Sequence, residues 1–94
     1  MVEIVWTRSA LKDLHNIFLY ISADSVFYAA RFSTKLLNRV EILKHYPLSG
    51  RMVPEKENKT IRELIEGNYR IFYFLKSDKK IYILRIHHSS KQIR

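Results

Sequence analysis

Hydrophobic residues in the first half of the chain recur every three or four positions, which is the spacing of one face of an α-helix. They form two runs: Leu11, Leu14, Phe18 and Ile21, then Ala29, Phe32, Leu36, Val40 and Leu43. Short polar side chains at 22–25 separate the runs, and Pro47 and Gly50 follow the second one. Because these residue types interrupt helices, the pattern predicts a helical hairpin that ends near Tyr46.

The second half of the chain has the composition of β-strands. A polar, proline-containing segment at 51–59 predicts a loop, and three stretches rich in β-branched and aromatic residues follow, at 60–66, 69–75 and 80–88. Tight turns are predicted between these stretches, at 67–68 and 76–79. Another short strand is predicted at 2–6, before a helix cap at Thr7 or Ser9.

The element order β-α-α-β-β-β predicts an α+β fold, in which an antiparallel sheet carries the helical hairpin on one face. Ninety-four residues allow one compact domain, and no internal repeat or linker divides residues 1–94. The chain contains no cysteine, which excludes a disulfide framework, a thiolate zinc site and a cysteine nucleophile.

Alternation along the strands places cations among apolar residues on the sheet. Strict alternation groups Arg85 and His87 with Ile81 and Ile83, and puts His88 on the opposite face. Since the sequence does not fix the register, the convergence of these cations with those of the neighbouring strands is a hypothesis. The set comprises Arg62, Arg70, Arg85, His87 and His88. An alternative is that Arg70 forms a structural ion pair with Glu63 or Glu66.

The net charge favours a polyanionic partner. Seventeen Lys and Arg residues against nine Asp and Glu give a formal charge of +8. Residues 47–94 hold eleven basic and five acidic residues, whereas residues 1–46 hold six and four. The excess predicts contact with nucleic acid or an RNA-rich assembly, although a basic surface can also serve solubility alone.

Arginine and histidine together can cleave RNA without a metal. Attack by the 2′-OH needs a base, an acid and a cation beside the developing negative charge. His15 and His45 lie on different predicted helices without a zinc-binding spacing, and the chain has no Gly-rich phosphate loop. We therefore expect no metal and no cofactor. No apolar run reaches the ~18 residues of a membrane span, and a signal-peptide core is absent, so we expect a cytoplasmic protein without membrane contact.

Three groups of residues resemble toxins of the RelE/ParE superfamily. They are Trp6 with Ala10–Leu14, Ile17, Tyr20 and Ile21; Pro47–Arg51 with Val53–Glu55; and Ile61–Ile65, Tyr69–Tyr73 and Ile83–Ser89. The resemblance covers nearly the whole chain and matches the predicted order of elements. It implies the toxin of a type II toxin–antitoxin module, which a cognate antitoxin wraps and inactivates in a hetero-oligomer. We expect the antitoxin to bind through an acidic segment that folds on binding.

The superfamily has two branches that differ in target. RelE- and YoeB-like members are ribosome-dependent endoribonucleases that cut mRNA, and this activity is the one we favour from the sequence. The resemblance makes Glu55, Arg70 and His87 candidates for catalysis, with His88 in place of a terminal tyrosine. Arg62 would support Arg70 in stabilising phosphate charge. Further contacts to nucleic acid are predicted for Arg51, Lys56, Lys59 and Arg85, of which the first three could equally form a solvated loop.

ParE-like members instead poison DNA gyrase and are not known as nucleases. The ending Arg85-Ile86-His87-His88 and the segment from Gly50 to Glu55 resemble this branch as well. A third alternative is a degenerate toxin that retains antitoxin binding alone. The sequence thus predicts a growth-inhibiting toxin and leaves open whether its partner is the ribosome with mRNA or DNA gyrase.

Overall fold

A five-stranded sheet and a pair of helices form two layers in the computed structural model, which describes residues 1–89. The elements are β1 (Glu3–Trp6), α1 (Arg8–Ser22), α2 (Val26–Glu41), a 3-10 turn (Ile42–Lys44), β2 (Arg51–Met52), β3 (Ile61–Glu66), β4 (Tyr69–Leu75) and β5 (Lys80–His88). The predicted α+β fold, with a helical hairpin followed by a three-stranded meander, is confirmed.

The sheet is mixed, with strand order β1-β5-β4-β3-β2. β1 runs parallel to β5, and the remaining neighbours are antiparallel. The prediction of a wholly antiparallel sheet is therefore wrong at β1. The prediction of a loop at 51–59 is wrong at its first two residues, because Arg51 and Met52 pair with Glu63 and Arg62.

Polar side chains fix both helix starts. Thr7, rather than Ser9, caps α1: its Oγ1 accepts a hydrogen bond from the Ala10 N–H at 3.1 Å and donates to the Ile83 carbonyl at 2.8 Å. Ser25 caps α2 by accepting from the Tyr28 N–H at 3.1 Å. The regular helix ends at Glu41, several residues earlier than predicted, since the chain tightens into the 3-10 turn.

The core lies between the helices and one face of the sheet. The apolar face predicted for α2 is confirmed, with Leu36 and Val40 fully buried. On α1 the prediction of Leu11 is wrong, because Leu11 is 53% exposed while Ala10 and Ile17 are buried. α1 packs against β5, and Leu14 and Ile21 of the predicted run do contact the core.

A β-bulge at Leu84 changes the direction of every later side chain in β5. Tyr73 pairs with Ile83 but its neighbour Phe72 pairs with Arg85, so Leu84 is the extra residue. Strict alternation, which grouped Arg85 and His87 with Ile83, is therefore wrong beyond Ile83. Because paired residues share a face, Arg85 and His87 lie on the face away from the helices, hereafter the open face.

Candidate functional site

A chain of alternating charges crosses the open face. Glu63, on β3, is 1% exposed. Its Oε1 accepts a hydrogen bond from Arg70 Nε, and its Oε2 accepts one from Arg51 Nε, both at 2.6 Å. Arg70, on β4, is itself buried, and its guanidinium carbon lies 4.8 Å from the centre of the Phe72 ring. One carboxylate thus orients two guanidinium groups in the sheet.

Glu55 completes this network from the loop after β2. Its two carboxylate oxygens accept hydrogen bonds from Arg70 Nη1 and Nη2, each at 2.7 Å, in the bidentate geometry that suits arginine. Val53, which is 1% exposed, anchors the same loop in the molecule. The hydrogen bonds that Arg70 donates to Glu55, more than the one it donates to Glu63, raise the pKa of Arg70 against the opposing effect of burial. The network Arg51–Glu63–Arg70–Glu55 carries two positive and two negative charges.

Arg85 is held separately by α1. Asp13 Oδ2 accepts hydrogen bonds from Arg85 Nε at 2.8 Å and from the Ile86 N–H at 2.9 Å. Burial by itself would raise the pKa of Asp13, but these hydrogen bonds outweigh it and the pKa is lowered. Asp13 therefore accepts a hydrogen bond from a backbone N–H of β5 beyond Ile83, where the pairing of β5 with β1 has ended.

The two histidines lie on opposite faces of the sheet. His87 pairs with Arg70 across β4 and β5, and its ring is 5.6 Å from that of Phe72 on the open face. His88 pairs with Tyr69 on the helix-facing side, with a ring separation of 5.4 Å. Among the described residues, the structure thus brings His87, and not His88, beside Arg70.

The other candidate residues are dispersed. Arg62 pairs with Tyr73 on the helix-facing side and donates from Nη1 to the Gly50 carbonyl at 2.9 Å. Lys56 and Lys59 lie in the segment between β2 and β3, where Lys59 is exposed. Of the five residues predicted to act in catalysis, Glu55, Arg70 and His87 come together, whereas Arg62 and His88 do not. Their roles remain predictions.

A groove of about 920 Å³ lies on the helix-facing side, between the helices and the ends of β4 and β5. Aromatic side chains line much of it. The Tyr69 ring packs between those of Phe32 and His88, with ring centres 5.2 and 5.4 Å away. Arg85 and Asp13 close one end. No group of three potential metal ligands occurs within residues 1–89. In the same range, no helix is long and apolar enough to cross a membrane.

Sequence reasoning missed two residues of the open face and its edge. Glu63 was considered only as a possible partner of Arg70, although a carboxylate between Ile61 and Ile65 on one strand face is itself a signal of a buried ion pair. Asp13 could not have been found, because 72 residues separate it from Arg85.

A helical hairpin on a five-stranded mixed sheet, with a buried ion network on its open face, defines a small two-layer α+β domain. A family described as the ParE toxin of the type II toxin–antitoxin system parDE matches residues 4–93. Toxin RelE2 from Caulobacter vibrioides is 32% identical over 91 residues, which cover 97% of this chain and 99% of that protein. Putative toxin Y4kP from Sinorhizobium fredii is 32% identical over 90 residues, covering 96% of this chain and 91% of that protein.

Solved structures show the same architecture. The chromosomal ParDE system of P. aeruginosa contains a chain with a TM-score of 0.74 and 26% identity, covering 94% of this chain and 96% of that one. The RelBE2 toxin–antitoxin complex from Mycobacterium tuberculosis gives a TM-score of 0.59 at 24% identity, covering 93% and 96%. The chain belongs to the ParE/RelE family of type II toxin–antitoxin toxins.

Proposed function

We propose that this toxin inhibits growth by binding a protein target of the DNA gyrase type, without cutting RNA. The observation that carries the proposal is the pairing of three arginines that lie on the open face and at its edge with carboxylates. Arg51 and Arg70 share Glu63, Arg70 also holds Glu55, and Arg85 holds Asp13.

Cleavage of a phosphodiester requires a cation that can follow the charge developing on the phosphorane. Arg70, whose Nε, Nη1 and Nη2 all donate to carboxylates, would have to break those bonds first, and the four-residue network has no net charge to attract phosphate. Arg62 and His88, which would have completed a basic catalytic cluster, lie on the other face. The geometry therefore favours recognition of a protein over chemistry on RNA.

Ribosome-dependent cleavage of mRNA is the second candidate. It is supported by the proximity of Glu55, Arg70 and His87, which could act as base, phosphate ligand and acid once Glu55 moves away from Arg70. The Caulobacter relative is named RelE2, after the RelE-like branch that cuts mRNA. Under either candidate the expected partner is a cognate antitoxin in a hetero-oligomer, as in the ParDE and RelBE2 complexes, and the expected location is the cytoplasm.

His87→Ala distinguishes the candidates better than any change of Arg70, because Arg70 is also part of the fold. The variant and its matched control His88→Ala are expressed in growing cells, where mRNA 5′ ends are mapped, and the purified proteins are assayed for inhibition of gyrase supercoiling. Our proposal predicts intact mRNA, inhibited supercoiling, and toxicity within about threefold of the wild type for both variants. Cuts within translated codons that fall about a hundredfold or more in His87→Ala alone would establish the ribonuclease instead.

A further inference from the structure

The turn between α1 and α2 presents an apolar surface that the ion network does not explain. Five large side chains there are between 52% and 78% exposed, and we call them the hairpin tip: Leu19, Tyr20, Val26, Phe27 and Tyr28. Exposed aromatic residues in a contiguous patch are typical of protein-binding surfaces. Beside them lies a depression of about 480 Å³, lined in part by Tyr20, Ile21 and Tyr28.

The hairpin tip is held in a defined shape. Ser25 caps α2, and its own N–H and that of Asp24 both donate to the Ile21 carbonyl at 3.0 Å. The rings of Phe27 and Tyr28 meet edge to face, with centres 6.0 Å apart. Rigid aromatic anchors next to a pocket lose little conformational entropy on binding, which is the property of interface hot spots.

Charge selects the kind of partner. Residues 16–30 contain a single charged residue, Asp24, in a chain whose net charge is +8. Among the described residues Asp24 forms no ion pair, and it is exposed at the centre of the turn. A nucleic acid or an acidic antitoxin segment would find no cation at the hairpin tip to pair with its negative charge and would be repelled by Asp24. An apolar protein surface that carries a Lys or Arg opposite Asp24 would fit it.

We infer that the hairpin tip is the surface with which the toxin contacts its growth target, a protein whose apolar docking site bears a cation. This inference rests on the proposed function and adds to it the place of contact and the chemistry of the partner.

Two matched double variants test the inference. Phe27→Gln with Tyr28→Gln removes the exposed aromatic residues of the hairpin tip. Tyr46→Gln with Leu48→Gln removes a similar apolar area elsewhere, since these side chains are 67% and 64% exposed. Each protein is compared with the wild type for growth inhibition, inhibition of purified gyrase, binding of the antitoxin encoded beside the toxin gene, and sedimentation. Asp24→Lys is measured in parallel.

We expect the tip variant to inhibit growth and gyrase at least tenfold more weakly, with antitoxin binding and sedimentation within twofold of the wild type. Asp24→Lys should weaken inhibition severalfold, and the control variant should match the wild type. Full toxicity of the tip variant, or loss of antitoxin binding, would overturn the inference, and so would a wild-type dimer that the tip variant disrupts. If the wild type leaves gyrase unaffected, the proposed function fails, and growth inhibition by the two double variants still decides the role of the hairpin tip.

Discussion

The open face of the sheet and the hairpin tip differ in how the chain uses its charged and apolar residues. On the open face, the Arg70 guanidinium is buried against Glu63 and Glu55, so these charges serve the fold. At the hairpin tip, aromatic rings extend into solvent while charge is nearly absent. The difference shows that net charge counts ionised groups but does not tell which of them are available to a partner. A face rich in arginine can be electrostatically neutral.

The largest effect is expected from breaking the ion network inside the sheet. Arg70→Met leaves Glu63 buried with Arg51 as its remaining arginine partner, and we expect the free energy of unfolding to fall by about 3–5 kcal/mol. Urea denaturation measures this loss. Arg51→Met, whose side chain is 63% exposed in the wild type, is the control and should cost less than about 1 kcal/mol.

A double variant sharpens this result. Combining Arg70→Met with Glu63→Leu replaces the buried pair by apolar side chains and leaves no buried charge in the strands, while Glu55 can turn into solvent. We expect the double variant to recover more than half of the stability that Arg70→Met loses. A double variant as unstable as the single one would mean that packing around Arg70, and not charge, is what the network provides.

The next effect concerns the close packing behind the open face. A Cβ atom at Gly50 would lie 2.5 Å from the Tyr73 hydroxyl and 2.6 Å from the Glu63 carbonyl oxygen. Tyr73 also accepts from the Gly50 N–H at 2.9 Å and donates to the Pro47 carbonyl at 2.8 Å, so it cannot move freely. We therefore expect Gly50→Ala to cost about 1–3 kcal/mol in thermal or urea unfolding.

Gly67 differs from Gly50 because its backbone conformation, and not close packing, disfavours other residues. It has a φ of 58°, but an added Cβ would meet its nearest atom, in Phe32, at an ordinary 3.7 Å. Gly67→Ala should cost about 1 kcal/mol through backbone conformation alone, and Gly67→Asn should cost less, because asparagine adopts this conformation more readily. Equal costs for alanine at both glycines, with no relief by asparagine at 67, would contradict this distinction.

A smaller, pH-dependent effect on stability is expected from Asp13, which joins α1 to β5. Because the folded-state pKa of Asp13 lies below its ordinary value of 3.8, its stabilising effect is present above that pH and is lost as the pH falls through the folded-state pKa. Asp13→Asn should reduce stability by roughly 1–2 kcal/mol at pH 7. The difference between wild type and variant should begin to shrink near pH 3.8 and disappear once the pH is below the folded-state pKa of Asp13. A difference that persists unchanged into strong acid would exclude an electrostatic origin.

The smallest effect on stability is expected at the hairpin tip. Since Phe27 and Tyr28 are 68% and 65% exposed, replacing both with glutamine should change the free energy of unfolding by no more than about 0.5 kcal/mol. Thermal unfolding of the purified variant tests this. A large loss would show that the two rings support the fold, and the comparison between the two regions would then fail.

The sequence predicts those parts of the fold in which local periodicity and tertiary packing agree. The apolar face of α2 and the strands 69–75 and 80–88 match the structure. Leu11 belongs to the hydrophobic run predicted for the first helix, but it is exposed, and Ala10 beside it is buried. The spacing of hydrophobic residues alone does not fix which side of a helix packs against the sheet.

The candidate site was predictable only to the extent that its residues are close in sequence. Glu63 and Arg70 belong to one hairpin, so their pairing could be anticipated. The separation of His87 from His88 follows from simple alternation, whereas the face on which each lies depends on the bulge at Leu84, which no local pattern indicates. Arg62 was grouped with residues on the other side of the sheet because the sequence does not fix the register of β3 and β4, in which Arg62 pairs with Tyr73.

The position of β5 has a consequence for the synthesis of the toxin. Among the strands within residues 1–89 it is the last to leave the ribosome, yet it lies between β1 and β4 and joins β1 to the rest of the sheet. β1 has no strand neighbour until β5 emerges, and because the two strands are far apart in sequence, their pairing slows folding. A growing chain therefore cannot complete this sheet before β5 has been translated.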